Sequence, residues 1–159
     1  DLDSPHYLRL GRQPVEDVFE NDYKFEFGKG VEVIGGNDLT ILSTGCVLSD
    51  VLDSAKTIEE QTGKSVRVIN IHTLKPIDKD IIIKASKETD LLVTVEDHSI
   101  IGGLGSAVSE VLTEHCPSRL VRIGLNDEFP ESGPPTDLYE KYGLSSSQIS
   151  KRVIDELDK

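Results

Sequence analysis

A chain of 159 residues is long enough to bury one hydrophobic core and short enough to be a single domain. Lys and Arg total 17 against 29 Asp and Glu, a net charge of -12 that excludes nucleic acid as a partner, because phosphate binding needs clustered cations. No apolar run approaches the roughly 20 residues of a spanning helix, and the opening DLDSPHYLRLGRQP has no signal-peptide pattern, so no membrane partner is expected.

Cys46 and Cys116 give neither a disulfide framework nor a metal-ligand spacing, and reduced thiols in a cytoplasmic setting are expected. The sequence contains no methionine, so the chain is expected to be a processed or excised piece whose opening is the tail of something larger. Residues 1–22 read as a last strand and linker of a preceding domain, and residues 23–159 as the domain proper.

In chain order, Val31–Ile34 (VEVI) alternates as an edge or hairpin strand does. Leu39–Leu42 is continuously apolar, as a strand covered on both faces requires, and ends before Thr44-Gly45-Cys46. Leu48, Val51, Leu52, Ala55 and Ile58 recur at helical spacing, with Gly63 as the stop. Val66–Ile71 is the next buried strand, and Asp78 can cap a helix carrying Ile81, Ile82 and Ala85. Leu91–Val95 leads through a Gly-rich turn to a helix near Gly105 with Ala107, Val108, Val111 and Leu112 on one side. After the strand Leu120–Ile123, the rigid Pro130–Pro135 turn fixes the final helices, and Ser145 with Gln148 forms a capping box before Ile149, Val153 and Leu157. This alternation predicts a Rossmann-like, three-layer α/β domain with about five mostly parallel strands and one antiparallel edge strand.

The segment richest in chemistry is LLVTVEDHSIIGGLGSAVSEVL, Leu91–Leu112. In an open parallel sheet, ligands sit beyond the carboxyl ends of strands, often at a helix N-terminus. Backbone N–H groups around Gly102, Gly103 and Gly105, with His98 beside them, therefore form a candidate anion or interface site. The dinucleotide fingerprint is incomplete, because Val108 stands where a third glycine or alanine belongs. Glu96, Asp97 and His98 fit a catalytic cluster, but such a trio more often caps the following helix and pairs across an interface. Cys46 sits where a nucleophile elbow would place one, yet no base partner is identifiable, and a small buried hydrophobe is expected there. His6, His72 and His115 form no metal-binding pair. These residues give a fold and an anion site, and they name no reaction.

The stretch TVEDHSIIGGLGSAVSEVL and the ending ESGPPTDLYEKYGLSSSQI resemble the C-terminal domain of the transketolase family over nearly the whole chain. The TVEDHS stretch is shared with deoxyxylulose-phosphate synthases and the β subunits of 2-oxoacid dehydrogenases, while the ending is most similar to transketolase. The resemblance implies a parent enzyme that moves a two-carbon ketol unit between sugar phosphates, works as a homodimer, and uses thiamine diphosphate with Mg²⁺. It implies further that both cofactors lie outside this chain, which has no Gly-Asp-Gly motif, and that the chain alone is inactive. YLRLGRQP is similar to the last strand and arginine turn of the family's preceding pyrimidine-binding domain. That match makes Arg12 a ligand of the substrate phosphate, a task suited to a planar two-pronged guanidinium. The remaining alternative is a regulatory module whose Gly-rich turn takes a small anion.

Overall fold

The computed structural model describes residues 3–11, 14–157 and 159. Five strands and five α-helices follow in the order β1 (Val31–Ile34), β2 (Leu39–Thr44), α1 (Leu48–Thr62), β3 (Val66–Asn70), α2 (Lys79–Glu88), β4 (Leu91–Ser99), α3 (Leu104–His115), β5 (Leu120–Leu125), α4 (Pro135–Lys141) and α5 (Ser146–Leu157). They build one sheet in the order β1-β3-β2-β4-β5, parallel throughout except for the antiparallel edge pair β1–β3.

Central strands are apolar on both faces because helices cover both. Leu39 and Ile41 of β2 face a core shared with α1 and α5, including Val51, Ile58, Ile149 and Val153. Leu42 and Ile69 face the other core with Ile82 of α2 and Val108 and Leu112 of α3. Each fully buried Leu or Ile contributes about 1.5–3 kcal/mol, so these two layers dominate the stability.

Local signals set most of the element ends. Gly63 adopts φ 71° and its N–H bonds Glu59 O at 2.9 Å, closing α1 in a left-handed cap. Asp78 accepts the Ile81 N–H at the start of α2, and its other oxygen takes the Gly30 N–H at 3.0 Å. The capping box of α5 is half formed. Ser145 Oγ accepts from Gln148 N at 3.4 Å, but Gln148 Nε2 donates to Glu140 Oε1 instead of returning to Ser145.

The edge strand β1 does not form a hairpin with β2. It pairs with β3, and the connecting Gly36 crosses so close to β3 that a Cβ there would run into the Val66 and Arg67 backbone. The buried Arg67 ties this edge down, reaching Glu32 on β1 at 3.5 Å and Glu88 on α2 at 2.7 Å.

Among the described residues of 3–22 there is no strand, and Tyr7, Leu8 and Leu10 are 90%, 78% and 77% exposed. A strand needs neighbours to satisfy its ladder, and no strand of this sheet pairs with the segment.

Asp38 illustrates how the loops are held. Ser65 gives it both its hydroxyl and its backbone N–H, each at 2.7 Å, and these bonds hold the carboxyl below its ordinary pKa. A lowered folded-state pKa supplies stability above the ordinary carboxylate value and loses it as pH falls through the lowered one. Asp38→Asn is therefore expected to flatten the acid limb of a plot of thermal midpoint against pH. An acid limb identical to the wild type would contradict this.

Candidate functional site

β4 runs four residues past its expected end, to Ser99, and delivers the Glu96-Asp97-His98 trio to the carboxyl edge of the sheet. Alternation sends the three side chains to different tasks. Glu96 is 1% exposed and points beneath the N-terminus of α3. One of its carboxylate oxygens accepts the Leu104 N–H at 2.7 Å and the other the Gly105 N–H at 2.8 Å. Gly103, the residue that precedes α3, offers no capping side chain, so a carboxylate from a neighbouring strand does the work.

The expected anion site is thus filled from within. Gly105 N–H and Leu104 N–H meet the chain's own carboxylate, and Gly102 N–H bonds Ser106 Oγ at 2.9 Å. The glycines are needed for close approach. A Cβ on Gly103 would fall on the Glu96 carboxylate, and one on Gly105 would lie 2.7 Å from Arg122 Cδ and 2.9 Å from Thr94 Oγ1. Gly102 holds φ 77° at the turn. His98 is exposed, its Nδ1 bonded to Ser99 O at 2.8 Å and 4.0 Å from Glu96 Oε2. Of the trio only Glu96 caps the helix, and His98 stands exposed beside it.

Asp97 turns the other way and accepts the Tyr139 hydroxyl at 2.8 Å. It lines a cleft of about 520 Å³ with Cys46 and Asp50 from the turn into α1, Leu125 at the end of β5, Tyr139 and Tyr142 around α4, and Gly11 and Pro14–Glu16 of the opening segment. In the strand order, the helix after β2 returns beside β3 while β4 continues on the opposite side of β2. The cleft between β2 and β4 is therefore the topological switch point, where open α/β sheets hold ligands.

Cys46 is exposed in this cleft, contrary to the buried role expected of it. Gly45 at φ 79° lifts the chain out of β2 into a short 3-10 turn, and so the thiol leaves the core. Arg12 lies outside the described residues. Burial raises the Asp50 carboxyl above its usual range, while the Ser146 N–H, donating at 3.1 Å, pulls the other way. The Tyr139 hydroxyl is pushed far above the ordinary tyrosine range, first by burial and then by its bond to Asp97.

Nothing in the sequence pattern marked this cleft, because its walls come from five separated segments. Four carboxylates, from Glu16, Asp50, Asp97 and Glu131, line it, and its described lining contains no Lys, Arg or His. A diphosphate would be repelled there. Among the described residues no three His, Cys, Asp or Glu side chains gather as a metal site would need. The cleft thus does not fit thiamine diphosphate with Mg²⁺.

Residues 28–149 match the family model of the transketolase C-terminal domain. The chain belongs to that family. A solved split-gene transketolase, an inactive β4 tetramer, superposes with TM-score 0.85 at 42% identity, covering 91% of this chain and 47% of the other. A protein assigned as a transketolase C-terminal section in Methanocaldococcus jannaschii is 42% identical over 158 residues, 98% of this chain and 49% of the relative. The 6-deoxy-6-sulfo-D-fructose transketolase subunit SqwH of Clostridium sp. (strain MSTE9) is 40% identical over 147 residues, 92% of this chain and 45% of the relative. The transketolase C-terminal domain described here therefore spans about half the length of the curated relatives it matches. No helix among its described residues is long and apolar enough to cross a membrane.

Proposed function

We propose that this chain is the C-terminal part of a thiamine-diphosphate-dependent transketolase that transfers a two-carbon ketol unit between sugar phosphates. In this reading thiamine diphosphate and Mg²⁺ are bound by protein outside the chain, and the chain alone is inactive. Its share is scaffold, homodimer contact, support for a preceding pyrimidine-binding domain, and one substrate-phosphate ligand, Arg12. The observation that carries this division of labour is the Glu96 cap. The helix N-terminus that would hold a phosphate in a cofactor-binding sheet is already satisfied by an internal carboxylate.

The exposed Tyr7, Leu8 and Leu10 support the second part of the reading, since an apolar segment with no partner in its own sheet suits a strand completed by other protein. The test is to assay the complete enzyme with xylulose 5-phosphate plus ribose 5-phosphate, against pyruvate plus glyceraldehyde 3-phosphate. Turnover of the first pair is expected. Turnover of the second pair only would assign a deoxyxylulose-phosphate synthase.

Arg12→Ala in the complete enzyme is expected to raise KM for phosphorylated substrates by about 10- to 100-fold, the loss of one charge-assisted contact of about 1.5–3 kcal/mol. KM for an unphosphorylated ketose should change little. Equal effects on both substrate types would make the arginine structural.

A further inference from the structure

The cleft at the switch point is not used by the reading above, and its chemistry is uneven. Its described lining is apolar and aromatic at Val15, Leu125, Leu138, Tyr139 and Leu144, while the four ionic groups among those described residues are carboxylates. Part of their capacity is already engaged. Asp97 Oδ2 takes the Tyr139 hydroxyl, Asp50 Oδ1 takes the Ser146 N–H, and Glu131 is paired with Lys141 at 2.7 Å. Glu16 and the second oxygens of Asp50 and Asp97 remain to meet an occupant. A bare metal ion is a poor occupant, because the carboxylates do not converge. A long side chain with an apolar stem and a cationic head matches both the floor and the rim.

Continuity says where such a side chain would come from. The lining residues Gly11 and Pro14–Glu16 belong to the same opening segment as the exposed Tyr7, Leu8 and Leu10, and Val15 is itself 59% exposed. Whatever covers that opening segment passes the mouth of the cleft.

We propose that the cleft between β2 and β4 is a docking socket for a lysine- or arginine-bearing segment of the polypeptide that carries the rest of the transketolase. The aliphatic stem lies on Val15, Leu138 and Tyr139, and the charged head meets Glu16, Asp50 and Asp97. The inference rests on the proposed function, because it takes the remainder of the transketolase as the occupant. It adds the place where that remainder is gripped and the sign of the charge it brings. Complementary charge of this kind acts mainly on recognition and association rate, and it is screened by salt.

The test produces the transketolase lacking this chain as separate protein and measures its affinity for this chain by surface plasmon resonance between about 50 mM and about 300 mM salt. The wild-type complex is expected to weaken as salt rises. The Glu16→Gln/Asp97→Asn double variant is expected to bind about tenfold more weakly and to lose most of that salt dependence. Glu16→Gln alone, on a segment outside the sheet, cannot unfold the domain and should move affinity in the same direction. Glu110→Gln, exposed on α3, should change nothing. Cys46 provides an independent reading, and its alkylation by the neutral reagent N-ethylmaleimide should slow about tenfold in the complex, as burial of a contact side chain requires. Variant affinities and salt dependence equal to the wild type would overturn the socket while leaving the proposed function standing. So would Cys46 reacting equally fast in the free and bound chain. Failure of the wild-type chain to associate with the remainder at all would overturn both. Saturable binding of spermidine to the chain, with assembly indifferent to the variants, would replace the socket with a small-molecule site.

Discussion

Glu96→Ala is expected to lower the unfolding free energy of the chain by about 3–5 kcal/mol, more than any other single truncation of a polar side chain on the carboxyl edge. The carboxylate is fully enclosed and is the hydrogen-bond acceptor for both Leu104 and Gly105. Removing it strands two buried N–H donors, each costing about 1–3 kcal/mol, and strips negative charge from the positive end of α3, worth up to about 2 kcal/mol more in a partly buried setting. Relief of the cost of burying an ionic group offsets part of this, but breaking such an arrangement from one side is the unfavourable way to remove it. Glu96→Gln keeps one acceptor and turns an amide donor toward a backbone donor, so it should fall between wild type and alanine. Urea midpoints at unchanged slope measure the effect. A loss under about 1 kcal/mol for the alanine variant would show that the cap is not holding α3.

Gly103→Ala is expected to cost about 2–3 kcal/mol for a different reason, and the two substitutions should not add. Gly103 sits at φ -99°, so alanine meets no backbone penalty there. Its methyl group would instead overlap the Glu96 carboxylate and come within 3.0 Å of Ser99 O, forcing the cap out of line. In a Glu96→Ala background the carboxylate is gone and only the tight contact with Ser99 O remains, so the same methyl should then cost about 1 kcal/mol or less. A double-mutant cycle reads this directly. Strict additivity would mean that Gly103 is glycine for some reason unconnected with the carboxylate.

Much of this architecture is readable from residue pattern because the signals are local. The continuous apolar runs at Leu39–Leu42 and Val66–Ile71, the glycine stop at Gly63 and the Asp78 cap each depend on a few neighbours, and each appears where the pattern places it. The differences arise where distant segments decide. α4 forms over Pro135–Lys141, where the prolines suggest the end of a rigid turn, although a proline at the first helical position is compatible with a helix start. Residue type places Cys46 in the core, whereas the left-handed Gly45 puts it in the cleft. Glycines at 102, 103 and 105 suggest an incoming anion. Only the three-dimensional course of β4 shows that Glu96, eight residues before Leu104, supplies it. The cleft has no signature at all, since Glu16, Asp50, Asp97 and Tyr139 meet through tertiary packing.

The description of this domain as scaffold is most directly tested by titrating thiamine diphosphate with Mg²⁺ into the 159-residue chain in a calorimeter. With the α3 amides already engaged by Glu96 and the cleft lined by carboxylates, the titration should stay flat up to millimolar ligand, about the -4 kcal/mol level of weak association. Saturable binding in the micromolar range, surviving Arg12→Ala, would mean that this chain holds the coenzyme itself.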